Sequence, residues 1–169
     1  MIKIERAQIQ DAKDYATIVN QSWKDTYGKY ISISHIDEEF NITNLVNNFS
    51  EFLKSSNELY MIKLDNKNIG IIEIGKPEDL YKNKLNDYGE IMSFHIKKEF
   101  CGKGYGSFAI RFAEKRLKQQ GYKNLCVWVK KQNINAINFY KSKGFVETKY
   151  SCEETVDGAP SFVMEKYEI

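Results

Sequence analysis

The sequence contains few of the residues that mark metal sites, disulfide frameworks or linkers between domains. Its three cysteines show no CxxC spacing, and it has only two histidines and two prolines. We therefore predict no metal site. No proline- or glycine-rich stretch, repeat or low-complexity tract divides the chain, so we expect one domain over residues 1–169, long enough to bury a core.

Long apolar runs and an excess of one charge are also missing. No apolar run approaches the roughly 18 residues that suggest a membrane-spanning helix, and the N-terminal residues are mixed and charged, unlike a signal peptide. The chain has 25 basic and 23 acidic side chains, a net charge of +2, which gives no case for nucleic-acid binding. We expect a cytoplasmic protein that binds neither nucleic acid nor a membrane, and the composition leaves a homodimer open.

The most informative segment joins an apolar run to a glycine cluster and then to a helical pattern. The run at 91–96 precedes Gly102, Gly104 and Gly106. Apolar residues then recur on one helical face, at positions 105, 108, 109, 112, 113 and 117. The first N–H groups of a helix lack intrahelical partners, and glycine lets the backbone approach a bound group closely. The segment therefore predicts a site for phosphate or pyrophosphate.

Two common phosphate-binding motifs do not describe this glycine cluster. A P-loop needs Gly-Lys-Ser/Thr after a glycine and four further residues, and no such run exists. A dinucleotide fingerprint that starts at Gly102 would need a third glycine where the chain has Ser107. The alternative is a structural role, in which the glycines serve only a turn whose backbone adopts positive φ.

A second motif lies downstream. An apolar run at 125–129 leads into a segment that carries Val129, Asn133, Ala136, Phe139, Tyr140, Gly144 and Phe145. Together with the glycine cluster, this segment resembles the GNAT superfamily of N-acetyltransferases, which use acetyl-CoA. The pyrophosphate loop of that family reads Gln/Arg-x-x-Gly-x-Gly/Ala, and here it is Cys101-Gly102-Lys103-Gly104-Tyr105-Gly106. The resemblance covers about residues 89–147 and departs from the family pattern at Cys101.

The predicted elements follow the order β-α-α-β-β-β-α-β-α-β-β. Strands are predicted at 2–5, 58–64, 69–74, 91–96, 124–129, 146–152 and 161–167, and helices at 11–27, 36–53, 105–120 and 134–143. Turn signals at 65–68 and 157–160 join consecutive strands, which implies antiparallel pairing, whereas a strand–helix–strand step implies parallel pairing. We expect an α/β (α+β) fold with a mixed, twisted central sheet of about seven strands and helices on both faces. The resemblance implies a GNAT-like fold, in which the strands at 91–96 and 124–129 splay apart around the pantetheine arm.

The resemblance also implies how acetyl-CoA would bind as co-substrate. The N–H groups from Gly102 to Ser107 would hold the pyrophosphate, and Lys103 would add positive charge. The backbone at 94–96 would pair with the pantetheine amides as an added strand does. Asn133 would contact the arm and would also cap the helix that follows it. The predicted cofactor-binding residues are Phe94, His95, Ile96, Gly102, Lys103, Gly104, Tyr105, Gly106, Ser107, Asn133 and Tyr140.

Acetyl transfer to an amine needs a neutral amine, a donor to the thioester oxygen and a proton for the departing thiolate. Tyr140 matches the family tyrosine that faces the CoA sulfur and is the predicted acid; packing of its helix is the alternative.

Glu90 stands immediately before the central strand, at the offset from the loop where histone-acetylating members carry their base. It is the predicted base, and a solvated carboxylate at the strand end is the alternative. His95 is a rival that strand alternation sends to the opposite face.

The acceptor pocket is expected between the first two helices. Trp23, Tyr27 and Tyr30, near His35, can hold an amine by stacking or cation–π contact, although a core position is favoured for Trp23. With Glu90, these three aromatic residues form the predicted substrate-binding set. We therefore predict acetyl transfer to a primary amine of a small molecule, polyamine-like or otherwise, by direct attack in a ternary complex.

Other functions stay open. Trp128 stands where ribosomal-protein N-terminal alanine acetyltransferases typically carry a glutamate, which argues against peptide N-termini. Acetylation of peptide or protein N-termini or of lysine remains the alternative. A non-catalytic acyl-CoA-binding domain would keep the glycine loop and lose the acid and the base, but Tyr140 and Glu90 are both present.

The cysteines are not expected to take part in the chemistry. Cys126 lies inside an apolar strand and is expected to be buried. Cys101 lies in the loop before a helix, a position at which a helix N-terminus can lower the pKa of a thiol. A catalytic role is not expected for Cys101, because no base partner is visible.

Overall fold

The structure, a computed structural model, describes residues 1–77, 87–152 and 160–169. Over these ranges the chain forms seven strands and five α-helices. The strands are β1 (Ile2–Arg6), β2 (Glu58–Leu64), β3 (Lys67–Gly75), β4 (Tyr88–Ile96), β5 (Asn124–Lys130), β6 (Val146–Cys152) and β7 (Ser161–Lys166). The helices are α1 (Ala12–Tyr27), α2 (Ile33–Glu39), α3 (Ile42–Phe52), α4 (Tyr105–Gln119) and α5 (Ile134–Lys141).

The strands form one mixed sheet in the order β1-β2-β3-β4-β5-β7-β6. β1 pairs antiparallel with β2, and β7 pairs antiparallel with both β5 and β6. β4 and β5 run parallel over Tyr88–Ile91 and Asn124–Val127, so the predicted parallel step across α4 is confirmed. This pairing ends at Ile91 and Val127 although β5 continues to Lys130.

The helix predicted at 36–53 is wrong in one respect, because the structure has two helices there. α2 ends at Glu39, and Phe40 leaves the helical region with φ −108° and ψ 44°. The side chain of Asn41 accepts a hydrogen bond from the backbone N–H of Asn44 at 3.1 Å and starts α3. An N-cap of this kind begins a new helix even where the apolar periodicity continues. The element order is therefore β-α-α-α-β-β-β-α-β-α-β-β.

The turns between strands are described in part. Asp65 and Asn66 adopt left-handed φ values of 47° and 66° in the predicted turn between β2 and β3. The predicted turn at 157–160 lies outside the described residues except for Pro160. β4 begins at Tyr88, three residues earlier than predicted, and most of the stretch before it, 78–86, is outside the described residues.

The chain groups into two compact units. The first comprises Met1–Glu73 and Ser93–Ala109, and the second comprises Ile74–Met92 and Ile110–Ile169. In the first unit, α1 and α3 bury a core cluster against β2 and β3, in which the rings of Tyr15 and Phe49 lie 4.9 Å apart. None of the helices in the described ranges is long and apolar enough to cross a membrane.

The second unit brings α4 very close to β4. A Cβ atom at Gly89 would lie 2.7 Å from a methyl carbon of Leu117, so a larger residue there would displace the Leu117 side chain. On β7, Lys166 donates to the carboxylate of Glu114 at 2.6 Å. A separate buried cluster consists of Tyr88, Cys126 and Val163, with Trp128 and Tyr150 packed against it.

Candidate active site

The predicted phosphate loop lies between β4 and α4. Gly102 and Gly104 have φ values of 72° and 87°, in the left-handed region that favours glycine. A Cβ atom at either position would meet nothing within 4 Å. α4 begins at Tyr105, so N–H groups without intrahelical partners follow directly. The ammonium of Lys103 lies 5.7 Å from the ring centre of Phe100. Open space over this backbone, beside a helix start and a lysine, fits a pyrophosphate.

Cys101 precedes these glycines. Its Sγ lies 3.7 Å from the carbonyl oxygens of Ile96 and Lys97. Loss of hydration, followed by the charges of Glu99 and Asp25, raises the pKa of the thiol. The lower pKa that a helix N-terminus can give a thiol is therefore not found here, because burial and then the two carboxylates outweigh it. The thiol is protonated at neutral pH.

His95 is held by α1. Its Nδ1 lies 3.0 Å from the hydroxyl oxygen of Ser22. Loss of hydration lowers the pKa of His95 to about 4, so the imidazole is neutral at pH 7. Two residues further on, just after the end of β4, the N–H of Lys97 donates to the carbonyl of Ile69 on β3 at 2.9 Å. Backbone groups alternate sides along a strand, so Phe94 and Ile96, rather than His95, direct their backbone groups away from β3.

The aromatic residues predicted to hold the acceptor also lie in the first unit. Trp23 stacks on Phe40 with ring centres 4.1 Å apart and contacts the ring of Tyr27 at 4.8 Å. Trp23 packs against the core cluster of this unit, in agreement with the core position that the sequence favours for it. Tyr30 is 63% exposed. The backbone N–H of His35 donates to the cap of α2.

Glu90 lies inside β4, not before it. The strand starts at Tyr88, and Glu90 is only 7% exposed. The alternative of a solvated carboxylate at the strand end is therefore wrong. Glycine is a weak strand former, so Gly89 conceals the early strand start in the sequence, whereas in the fold it lies close to the side chain of Leu117.

A second buried carboxylate, Glu165, lies two strands away from Glu90. Cys126 on β5 pairs with Glu90 on one side and with Glu165 on the other. Paired residues of neighbouring strands share a face of the sheet, so the three side chains form a row. Burial, followed by the charges of Glu90 and Glu165, raises the pKa of the Cys126 thiol. Cys126 is 2% exposed, and its predicted burial is confirmed.

Two tyrosine hydroxyls converge on one oxygen of Glu165. Tyr167 donates to Oε2 at 2.5 Å, and Tyr88 donates to the same atom at 3.5 Å. Burial and then the charge of Glu165 raise the pKa of Tyr88, whereas the hydrogen bond to Glu165 is the main cause that raises the pKa of Tyr167. No local sequence pattern predicts this group, because Tyr88 and Glu165 are 77 positions apart. The available signal was Glu165 directly after the apolar run 162–164 within a predicted strand.

α5 carries the remaining predicted residues. Oδ1 of Asn133 accepts a hydrogen bond from the N–H of Ala136 at 3.1 Å, so its predicted capping role is confirmed. Tyr140 is 5% exposed, and its ring meets those of Phe139 and Phe145 edge to face at 5.4 and 5.3 Å. These contacts fit the packing alternative, and the acid role of Tyr140 stays a prediction.

The sequence model of the Acetyltransferase (GNAT) family matches residues 16–145, more than half of this chain. The chain belongs to this family. A spermidine N(1)-acetyltransferase of Thermoplasma acidophilum is 28% identical over 175 residues, spanning 99% of this chain and 98% of that protein.

Two solved structures share the fold. PaiA N-acetyltransferase from Thermoplasma acidophilum, in complex with coenzyme A, has a TM-score of 0.75 at 24% identity. The match covers 99% of this chain and 99% of that chain. Ribosomal-protein-alanine N-acetyltransferase from Brucella melitensis has a TM-score of 0.74 at 15% identity, with 98% of this chain and 99% of that chain covered. At these identities, the likeness supports the GNAT-like fold and not a particular acceptor.

As a GNAT acetyltransferase, the chain is an enzyme that takes acetyl-CoA as its co-substrate. The open left-handed loop before α4 fits the anionic part of that molecule, in agreement with the sequence motif. Among the described residues, no group of three or more His, Cys, Asp or Glu side chains is arranged to hold a metal ion.

Proposed function

We propose that this GNAT acetyltransferase transfers the acetyl group of acetyl-CoA to a primary amine of a small, polyamine-like molecule. The observation that carries the proposal is the row of Glu90, Cys126 and Glu165, two buried carboxylates on one face of the second unit. Buried carboxylates create a negative potential that attracts a cationic amine. The relative named spermidine N(1)-acetyltransferase, which matches over almost its full length, supports the same class of acceptor.

Acetyl-CoA binding is assigned to the loop and the strand before it. The N–H groups from Gly102 to Ser107, including those of Tyr105 and Gly106, bind the pyrophosphate, and Lys103 balances its charge. Phe94 and Ile96 pair through their backbone with the pantetheine amides, next to His95. Asn133 contacts the arm while it caps α5.

The chemistry is direct attack in a ternary complex. Glu90 takes a proton from the acceptor ammonium, directly or through water, because only the neutral amine is a nucleophile. A backbone N–H of β4 donates to the thioester oxygen as charge develops there. The neutral nitrogen attacks the thioester carbon and forms the new carbon–nitrogen bond. The carbon–sulfur bond then breaks, and the Tyr140 hydroxyl protonates the thiolate, which gives free CoA. The second proton of the attacking nitrogen restores the Tyr140 hydroxyl through water, which leaves the N-acetylamine, and the proton on Glu90 passes to solvent.

The aromatic residues of α1 and of the turn after it complete the proposed substrate-binding set. Tyr30, which is 63% exposed, is available to a flexible cation by cation–π contact. Trp23 and Tyr27 support this surface through their ring contact. In this proposal the whole chain, 1–169, acts as one N-acetyltransferase domain.

A panel of amines tests this function. The enzyme is incubated with acetyl-CoA and, separately, putrescine, spermidine, an aminoglycoside, a peptide with N-terminal alanine and a lysine peptide, and free thiol is measured. We expect the highest kcat/KM with the polyamines. If only a peptide is acetylated, the acceptor is a peptide or protein and the proposed small-molecule acceptor is wrong. If CoA binds but no amine raises the rate of thiol release above that of hydrolysis, only an acyl-CoA-binding function remains.

A further inference from the structure

Glu165 is a buried carboxylate with two tyrosine donors. The residue is 6% exposed, and both tyrosine hydroxyls that reach it, from Tyr88 and Tyr167, donate to Oε2. Both donors are neutral groups. A buried carboxylate is stabilised further when a cation lies beside it, and an ammonium group of a ligand can supply that charge.

The surroundings of Glu165 suit an alkylammonium group. Glu165 lies beside Cys126, and Trp128 pairs with Val163 on the same face. Trp128 and Tyr150 pack against this cluster and are only partly buried. Aromatic rings attract ammonium groups by cation–π contact and cover the methylene groups beside them. A carboxylate framed by aromatic rings therefore favours an organic cation over a hydrated metal ion.

We propose that Glu165 binds the second ammonium group of the acceptor and thereby selects diamines and polyamines over monoamines. This inference rests on the proposed function, in which Glu90 receives the amine that is acetylated. One strand separates Glu90 from Glu165, so their backbones lie about 10 Å apart across the sheet. A short alkyl chain with an amine at each end spans the space between two carboxylates held in this way. The enzyme then recognises the acceptor by two charges and the distance between them.

Substitution of Glu165 by glutamine tests the inference. Glu165→Gln keeps the size of the side chain and an oxygen for the tyrosine hydroxyls, and it removes the charge. We expect the ratio of kcat/KM for putrescine to kcat/KM for butylamine to fall by at least about tenfold, through the KM for putrescine. Binding of acetyl-CoA, measured by calorimetry, should not change.

Glu114→Gln is the matched control. Glu114 is the partner of Lys166, which follows Glu165 in β7 and therefore lies on the opposite face of the sheet. This variant also removes one carboxylate next to β7, and it should keep the wild-type ratio between putrescine and butylamine. An equal fall of the ratio in both variants would mean a general effect of charge and would overturn the role of Glu165.

The two hypotheses fail in distinguishable ways. If the wild-type enzyme acetylates none of the amines, the proposed function fails and this inference fails with it. If the wild-type enzyme acetylates polyamines and Glu165→Gln keeps the full preference over butylamine, this inference alone is wrong. If Glu165→Gln does not fold, Glu165→Asp is used instead. This variant keeps the charge, but its side chain is shorter by one methylene group, so the carboxylate lies farther from Glu90. The preference should then shift from putrescine toward the longer cadaverine, and an unchanged preference would overturn the inference.

Discussion

Gly104 and Gly121 have similar left-handed φ values at opposite ends of α4. Their φ values are 87° and 95°, and at neither position would a Cβ atom meet anything within 4 Å. Alanine at either position therefore carries a similar strain, about 1–2 kcal/mol, without a steric clash. The two glycines differ in their place, since Gly104 precedes the first N–H groups of the helix and Gly121 follows its last turn.

The first prediction uses this pair. Gly104→Ala should weaken binding of acetyl-CoA by about tenfold or more, because the added methyl group occupies the open space where the backbone approaches the pyrophosphate. Gly121→Ala should lose a similar amount of stability and keep its affinity. Calorimetry measures the affinity, and thermal unfolding measures the stability. Unchanged affinity in Gly104→Ala would refute the assignment of the loop.

Asn133 and Asn41 form a second matched pair. The side-chain oxygen of each accepts the N–H three residues later at 3.1 Å and starts a helix. Alanine at either position should cost about 1 kcal/mol of stability through loss of the cap. Only Asn133→Ala should also raise the dissociation constant of acetyl-CoA, again measured by calorimetry. Equal affinities of the two variants would reduce Asn133 to its capping role.

Tyr140→Phe separates acid catalysis from packing. The substitution keeps the ring that meets Phe139 and Phe145 and removes the proton donor. We expect kcat to fall by about 10²–10⁴-fold with little change in acetyl-CoA affinity. Tyr122→Phe, at the far end of α4, serves as the control and should keep the wild-type kcat. A wild-type kcat in Tyr140→Phe would leave only the packing role.

Glu90→Gln tests the base. The neutral amide should lower kcat/KM near neutral pH and remove the acidic limb of the pH–rate profile, because no titrating carboxylate remains. Higher pH should restore much of the activity, since more of the amine is already deprotonated. If the variant shows only a higher KM with an unchanged profile, Glu90 attracts the cation and another group is the base.

His95 makes the stability of the fold depend on pH. Its pKa is about 4 in the folded chain and about 6.5 in an unfolded chain. Between these values the unfolded state binds more protons, so stability is complete above about pH 6.5 and falls toward about pH 4. His95→Gln should reduce the difference in urea unfolding free energy between about pH 7.5 and pH 5. A full difference in His95→Gln would contradict this account.

Much of the sheet follows from local sequence patterns. Alternation and turn residues located β2 and β3, and the crossover through α4 required the parallel pair of β4 and β5. The break between α2 and α3 escaped prediction because the cap at Asn41 interrupts an otherwise continuous periodicity. A single side chain can end a helix without any change in the apolar pattern.

The candidate site was less accessible to prediction. The glycine loop is a local motif, and its left-handed residues, Gly102 and Gly104, appear where the sequence placed them. The burial of Glu90 depends on how β4 packs, and the meeting of Tyr88 with Glu165 depends on which strands become neighbours. Strand order is a property of the whole sheet, so no local window of sequence contains it.

The position of Cys126 between two carboxylates gives the molecule a built-in chemical reporter. Alkylating reagents attack the thiolate, and burial together with Glu90 and Glu165 keeps this thiol protonated. Cys101 is exposed and Cys152 is partly exposed, so both should be modified before Cys126. The slow labelling of Cys126 then measures how often this face of the sheet opens to solvent. A bound diamine would cover the thiol, and its protection would report occupancy of the acceptor site without any turnover.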